Sequence, residues 1–191
     1  MEKEELLQRL YKECIEELNR IGINFEGKEI NIILSKRNNK RYGCCKPGVP
    51  DKNYKKIIRK GFRYIVKFEN YKKYTIEISG WVLDLNENII KNTIIHELIH
   101  CLPYCNNHGE HFKEYVNLVN IKLGYNISRM GNKKEDFKDS NLEYKEKEEY
   151  KYKIQCEKCK KIFYRKRLQK NFVKKFRCSV CLGKLKILES K

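Results

Sequence analysis

Two Cys-x-x-Cys pairs, Cys156-Glu157-Lys158-Cys159 and Cys178-Ser179-Val180-Cys181, stand eighteen residues apart near the end of a 191-residue chain. That spacing fits two knuckles facing each other across one tetrahedral metal ion. So short a tail cannot build a stable core unaided, and the metal has to supply the folding free energy. Tyr152 and Ile154 alternate before the first pair, Ile162-Phe163-Tyr164 follows it, and Leu185-Lys186-Ile187-Leu188 follows the second. The pattern predicts the short strands of a zinc ribbon over residues 152–191, with Cys156, Cys159, Cys178 and Cys181 holding a structural zinc.

Nine cysteines could instead belong to a disulfide protein. However, the acidic start Met1-Glu2-Lys3-Glu4-Glu5 lacks the basic and then apolar order of an export signal, which predicts reduced thiols and a cytoplasmic protein. No run approaches the roughly eighteen apolar residues of a membrane span, so no membrane partner is expected. Hydrophobic residues make up 40% of the chain, enough to fold despite 36% charged residues. The length suits one ordinary domain and a small satellite.

The net charge is +18, and its distribution is uneven. It amounts to +7 over residues 1–130, −2 over 131–150 and +13 over 151–191. A diffuse compositional bias would scale with length, whereas this surplus concentrates in the cysteine module, as in a polyanion-binding element. Arg165, Lys166, Arg167, Lys170, Lys174, Lys175 and Arg177 lie between the knuckles, interleaved with Tyr164, Phe172 and Phe176. Cations beside stackable rings suit phosphate contact and base stacking on single strands. The bland reading is that the rings form the ribbon's own core and the lysines merely solvate it.

Upstream, Leu6, Leu7, Leu10, Tyr11, Cys14, Ile15, Leu18 and Ile21 recur at helical spacing until Gly22. Extended segments are expected at 29–34, at 62–69 with Phe62, Tyr64, Val66 and Phe68 on one face, and at 74–79. A Gly- and Pro-punctuated loop is expected at 41–48. A helix from about Asn88 to Leu102 is stopped by Pro103, and another runs from Gly109 to Leu123 before Gly124. Residues 131–151 alternate in charge without apolar period and read as a linker.

The first of those two helices carries His96-Glu97-Leu98-Ile99-His100. On a helical wheel these polar residues lie opposite an arc of Ile90, Ile94, Ile95, Leu98, Ile99 and Leu102. Histidines one turn apart converge on one metal, and Glu97 between them is placed as general base on a zinc-bound water. A third ligand must come from downstream. His108, where a loop enters a helix beside Gly109, is favoured over His111, which lies inside that helix. Cys44, Cys45, Cys101 and Cys105 read as small buried hydrophobes.

Together these features resemble the SprT-like family of zinc metallopeptidases. The resemblance rests on an N-terminal helix, the Arg41-Tyr42-Gly43 strand region, the His96-to-His100 helix, the His108-Gly109-x-x-Phe112 segment and the C-terminal ribbon. It implies an α+β, zincin-like peptidase domain over residues 1–130, one catalytic and one structural zinc, and His108 as third ligand. It also implies action on proteins covalently trapped on DNA, with single-stranded or distorted DNA and protein substrates as partners. The alternatives are a non-catalytic nucleic-acid-binding zinc protein, or a general peptidase whose ribbon docks a protein partner.

Overall fold

The amphipathic N-terminal run folds as helix α1 (Glu2–Arg20), burying Leu7, Leu10, Cys14 and Leu18. Gly22, at φ +85°, reverses the chain. The Ile23 N–H then bonds the Leu18 carbonyl and the Gly22 N–H bonds that of Asn19, a paired cap that also buries Ile23 beside Leu18. The computed structural model describes residues 2–35, 40–144 and 150–190. Residues 145–149 of the expected linker and Lys191 of the expected ribbon lie outside the described residues.

Three strands make a mixed sheet in the order β1 (Glu29–Ser35), β5 (Lys73–Ser79), β2 (Gly43–Pro47). Strand β5 is central, parallel to β1 and antiparallel to β2. Tyr74, Ile76 and Ile78 on one face of β5 are buried, the alternation a one-sided sheet requires. The segment expected as a loop at 41–48 is thus mostly strand. Its Gly and Pro sit at the two ends of β2, and pairing with β5 supplies the order that local composition does not. A separate antiparallel hairpin, β3 (Lys55–Lys60) and β4 (Arg63–Phe68), intervenes between β2 and β5. Strand β3 lies outside the segments expected to be extended, and Phe62 falls in the turn rather than in a strand.

Helix α2 (Glu87–Ile99) begins at Asn86, whose side chain accepts the Ile89 N–H. It ends three residues earlier than expected. Pro103 would clash with the Ile99 carbonyl in a continuing helix, and Cys101 and Leu102 instead bond carbonyls three residues back. The helix is not apolar on one arc alone: Ile89, Thr93 and Glu97 are buried along with Ile90, Ile94, Ile95, Leu98 and Ile99. It is a central core helix, packed on α1 and on the sheet. Lys91 anchors it to α1 through Glu13 and Glu17, at 2.7 and 3.0 Å.

Helix α3 (Glu110–Leu123) starts at Gly109 and stops at Gly124, which is left-handed at φ +72°. The first compact unit then continues to Glu143, well past residue 130. The reason is α4 (Lys133–Asp139): Phe137 stacks on Trp81 at 5.8 Å, Asp136 accepts the Tyr42 hydroxyl, and Ser140 accepts the Asn86 N–H at 2.9 Å. One ring stack and two hydrogen bonds dock a segment whose composition reads as solvated.

The second unit, Tyr144–Lys191, is a three-stranded antiparallel sheet in the order β7 (Ile162–Arg165), β6 (Tyr152–Cys156), β8 (Leu185–Ser190). Between β7 and β8 lies the single turn α5 (Phe172–Lys175). Ile154, Cys156, Cys178 and Leu185 are its buried centre, with Phe163, Leu168, Phe172 and Val173 packed against them. No described helix is long and apolar enough to cross a membrane.

Candidate metal centres

His96 and His100 project from the end of α2, and His108 reaches them from the loop before α3. The Nε2 atom of His108 lies 3.0 Å from that of His96 and 3.2 Å from that of His100. Tetrahedral zinc with nitrogen ligands has ligand-to-ligand edges of about 3.3 Å, so the separations fit one ion. Contacts on the far sides of the rings set the tautomers. His96 Nδ1 lies 3.1 Å from the Ser128 carbonyl and His100 Nδ1 lies 2.6 Å from the Cys105 carbonyl. A carbonyl cannot donate, so both Nδ1 atoms carry the proton and both Nε2 atoms present lone pairs to the same point. Converging lone pairs repel unless a cation or proton lies between them, which is the donor chemistry of a zinc site.

The two carbonyls are held there by local structure. After Pro103 the chain turns back through Tyr104, at φ +64°, and this brings the Cys105 carbonyl under His100. After Gly124 the Asn120 side chain clamps both backbone groups of Ile127, at 2.9 and 3.0 Å, and the next carbonyl, that of Ser128, meets His96. Phe112 is buried beneath all three rings, stacked on His100 at 4.6 Å with His108 and His96 at 4.7 and 5.0 Å. Burial, and after it the neighbouring imidazoles, lower His96 to about 4. Burial likewise lowers His100 and His108. The imidazoles therefore stay neutral, as ligands must be.

His111 does not join them: its side chain is 59% exposed and faces Glu114 at 3.4 Å. Cys101 and Cys105 are buried, as expected of small hydrophobes. Cys44 and Cys45 are only partly buried, and the Cys45 thiol lies 3.6 Å from that of Cys101.

Glu97 lines the same cleft as the three histidines, a space of about 1340 Å³ also bordered by β2, β4 and residues 126–136. It is only 7% exposed. Its carboxylate accepts the Cys45 backbone N–H and packs against Gly43, where an added Cβ would come within 2.8 Å of its Cγ. Burial raises its pKa to about 7, against the pull of the Cys45 N–H and the Arg41 charge. Phe112, Gly43, the Cys45 amide and the two ring-orienting carbonyls carry no signal in composition or period. Two of them are named by the resemblance alone, Gly43 in the Arg41-Tyr42-Gly43 strand region and Phe112 in the His-Gly-x-x-Phe segment.

In the second unit the four thiols gather as the cysteine spacing predicts, with Cys156 and Cys181 Sγ atoms 3.4 Å apart and those of Cys159 and Cys178 3.6 Å apart. Both separations far exceed a disulfide bond and approach the edge of about 3.8 Å in a tetrahedral zinc–sulfur site. The two knuckles repeat one geometry. Lys160 and Leu182 are left-handed at φ +60° and +56°, and their N–H groups bond the carbonyls of Cys156 and Cys178. Gly183 has no room for a Cβ, which would lie 2.9 Å from the Cys156 sulfur.

Arg165, Lys166, Arg167, Lys170, Lys174, Lys175 and Arg177 are all exposed. Arg177 is engaged locally, donating to the carbonyls of Val173, Lys174 and Phe176 at 3.1 to 3.4 Å. The rings divide: Phe172 packs into the ribbon core, whereas Tyr164 and Phe176 stay 47% and 41% exposed.

No curated protein and no solved structure matches the chain. The family model described as the SprT-like family matches residues 4–131, spanning the sheet, the histidine cluster and Glu97. With a mixed α+β first unit, three convergent histidines and a four-cysteine cluster, the chain belongs to the SprT-like family.

Proposed function

We propose that the protein is a zinc-dependent, zincin-like metalloprotease acting on DNA-associated proteins, including proteins crosslinked to DNA, with its ribbon as a nucleic-acid contact. The observation that carries the reading is the convergence of three Nε2 atoms beside a buried carboxylate in one cleft. His96, His100 and His108 would hold the catalytic zinc, and Cys156, Cys159, Cys178 and Cys181 a structural one. When bound, the catalytic zinc supplies Lewis-acid polarisation of water and of a peptide carbonyl.

Glu97 takes the proton from the attacking water as general base and returns it to the amine leaving group. A buried carboxylate held by one backbone N–H can both accept that proton and give it back. Arg129, whose charge is felt at His108, lines the same cleft and adds positive potential to it. The exposed cations Arg165, Lys166, Arg167, Lys170, Lys174 and Lys175 support a polyanion contact, with Tyr164 and Phe176 as stacking rings.

The test is metal content per chain together with cleavage of an unfolded protein, with and without single-stranded DNA, for wild type, Glu97→Gln and His108→Ala. The expected result is two zinc ions in wild type and Glu97→Gln, one in His108→Ala, and cleavage lost in both variants. Cleavage surviving in Glu97→Gln would refute the mechanism, and cleavage indifferent to DNA would refute the DNA-associated role.

A further inference from the structure

The hairpin β3–β4 has no structural use for its own composition. Residues 55–67 carry Lys55, Lys56, Arg59, Lys60, Arg63 and Lys67 and no acidic residue, so six of the seven surplus charges of residues 1–130 lie here. Ile58 and Phe68 apart, every strand position is exposed, so neither face of the hairpin is covered among the described residues. An uncovered two-stranded hairpin is marginal in water. This one is destabilised further, because the register sets Lys56 opposite Lys67 and Lys60 opposite Arg63. Like charges directly opposite repel, and no described carboxylate forms an ion pair with any of the six.

The turn adds a second feature. Gly61, at φ +62°, makes the tight reversal and leaves Phe62 at the tip, 102% exposed, with Tyr64 71% exposed beside it. The two cationic rungs are about 13 Å apart at the usual strand rise. Between them lies the apolar rung of Ile58 and Ile65. The base is anchored, since the Asn106 side chain bonds the Phe68 carbonyl at 3.1 Å, and Val66, Lys67 and Phe68 border the histidine cleft.

We infer that this hairpin is a nucleic-acid contact within the first unit itself, binding single-stranded DNA or RNA at the mouth of the cleft. A polyanion relieves the cross-strand repulsion, and the tip rings offer stacking surface that only unpaired bases can use. A bilayer fits less well, because cations stand on both faces and no purely apolar face is left to sink into lipid. The inference rests on the reading that the protein works on nucleic acid, but on residues separate from the ribbon. It places a strand beside the cleft, so that proteins attached to that strand are the ones presented for cleavage.

The experiment uses the full zinc-loaded chain and a fluorescent oligothymidylate, with affinity measured across a salt series. Three variants are compared with wild type: Lys56→Ser/Lys60→Ser/Arg63→Ser, Phe62→Ser, and Arg165→Ser/Lys166→Ser/Arg167→Ser in the ribbon. Zinc content and circular dichroism check folding. Each lost phosphate contact lowers the slope of log affinity against log salt by about 0.7, so the hairpin triple variant should lose about 2. Phe62→Ser should bind roughly 5- to 150-fold more weakly with its slope unchanged, as loss of one stacked base predicts. Wild-type affinity and slope in both hairpin variants, with binding lost in the ribbon variant, would overturn this inference and leave the ribbon reading standing. Absence of salt-dependent binding by wild type, or hairpin-dependent binding only to anionic vesicles, would overturn it as well.

Discussion

Replacing Gly43 by alanine separates the position of Glu97 from every other property of the site. Gly43 does not have a left-handed backbone, so alanine is conformationally acceptable; what is missing is space. An added Cβ would lie 2.8 Å from Cγ, 2.9 Å from Oε1 and 3.1 Å from Cδ of Glu97. Carbon contacts settle near 3.5 to 4.0 Å, so something must retreat by roughly 0.7 Å or more. Strand β2 is pinned by its register with β5, Gly43 facing Ile78, whereas the Glu97 side chain can swing. That swing takes the carboxylate off the Cys45 N–H. Displacement of a catalytic group by about 1 Å costs on the order of 100-fold, and a general base contributes roughly 100- to 10,000-fold in all. The expected outcome is a fall in kcat of roughly 30- to 100-fold with KM little changed. Stability should fall by only about 1 kcal/mol, because a side-chain tip is what moves. Zinc content should stay at two per chain, since none of the close contacts involves a histidine. The assays are steady-state proteolysis, thermal unfolding and metal analysis. Wild-type kcat in a folded Gly43→Ala protein would show that β2 does not set the place of Glu97, and loss of zinc would show that the damage is not local.

Two further outcomes follow from the ring packing. Phe112→Ala removes the buried support of all three imidazoles and should destabilise the first unit by about 3–5 kcal/mol, with weakened retention of the histidine-site zinc under a chelator and unchanged retention by the cysteines. In metal-free protein the histidine pKa values are lowered, His96 to about 4, so between there and about 6.5 the unfolded chain binds more protons than the folded one. Stability from these groups is therefore full above about 6.5 and lost as pH falls towards 4. Zinc should steepen the loss because protons compete for the same Nε2 lone pairs, and denaturant titrations at several pH values with and without zinc would measure both slopes.

Short-range geometry made much of this molecule legible in the chain. His96 and His100 share one helix turn, and each Cys-x-x-Cys pair closes its own knuckle, so spacing alone places those donors together. The periods of α1, α3 and β5 follow from solvent lying on one side, and Gly22 and Gly124 stop helices for the stereochemical reason that marks them in sequence. Where the environment is uniform the pattern fails. Helix α2 is buried nearly all round, so its apolar arc did not reveal that Glu97 is itself enclosed. The docking of α4 depends on Tyr42 and Trp81, which are remote in sequence, and a charged composition masked it.

The histidine and cysteine donors, the helix stops and the excess of positive charge were thus determined by the sequence itself, because each depends on neighbours a few residues apart. Only the tertiary structure decided that Gly43 and the Cys45 amide hold Glu97, that Ser128 and Cys105 carbonyls orient the rings over Phe112, and that β3–β4 stands uncovered. Those facts depend on atoms brought together from distant parts of the chain, where long-range packing sets the distances and local pattern carries no record of them.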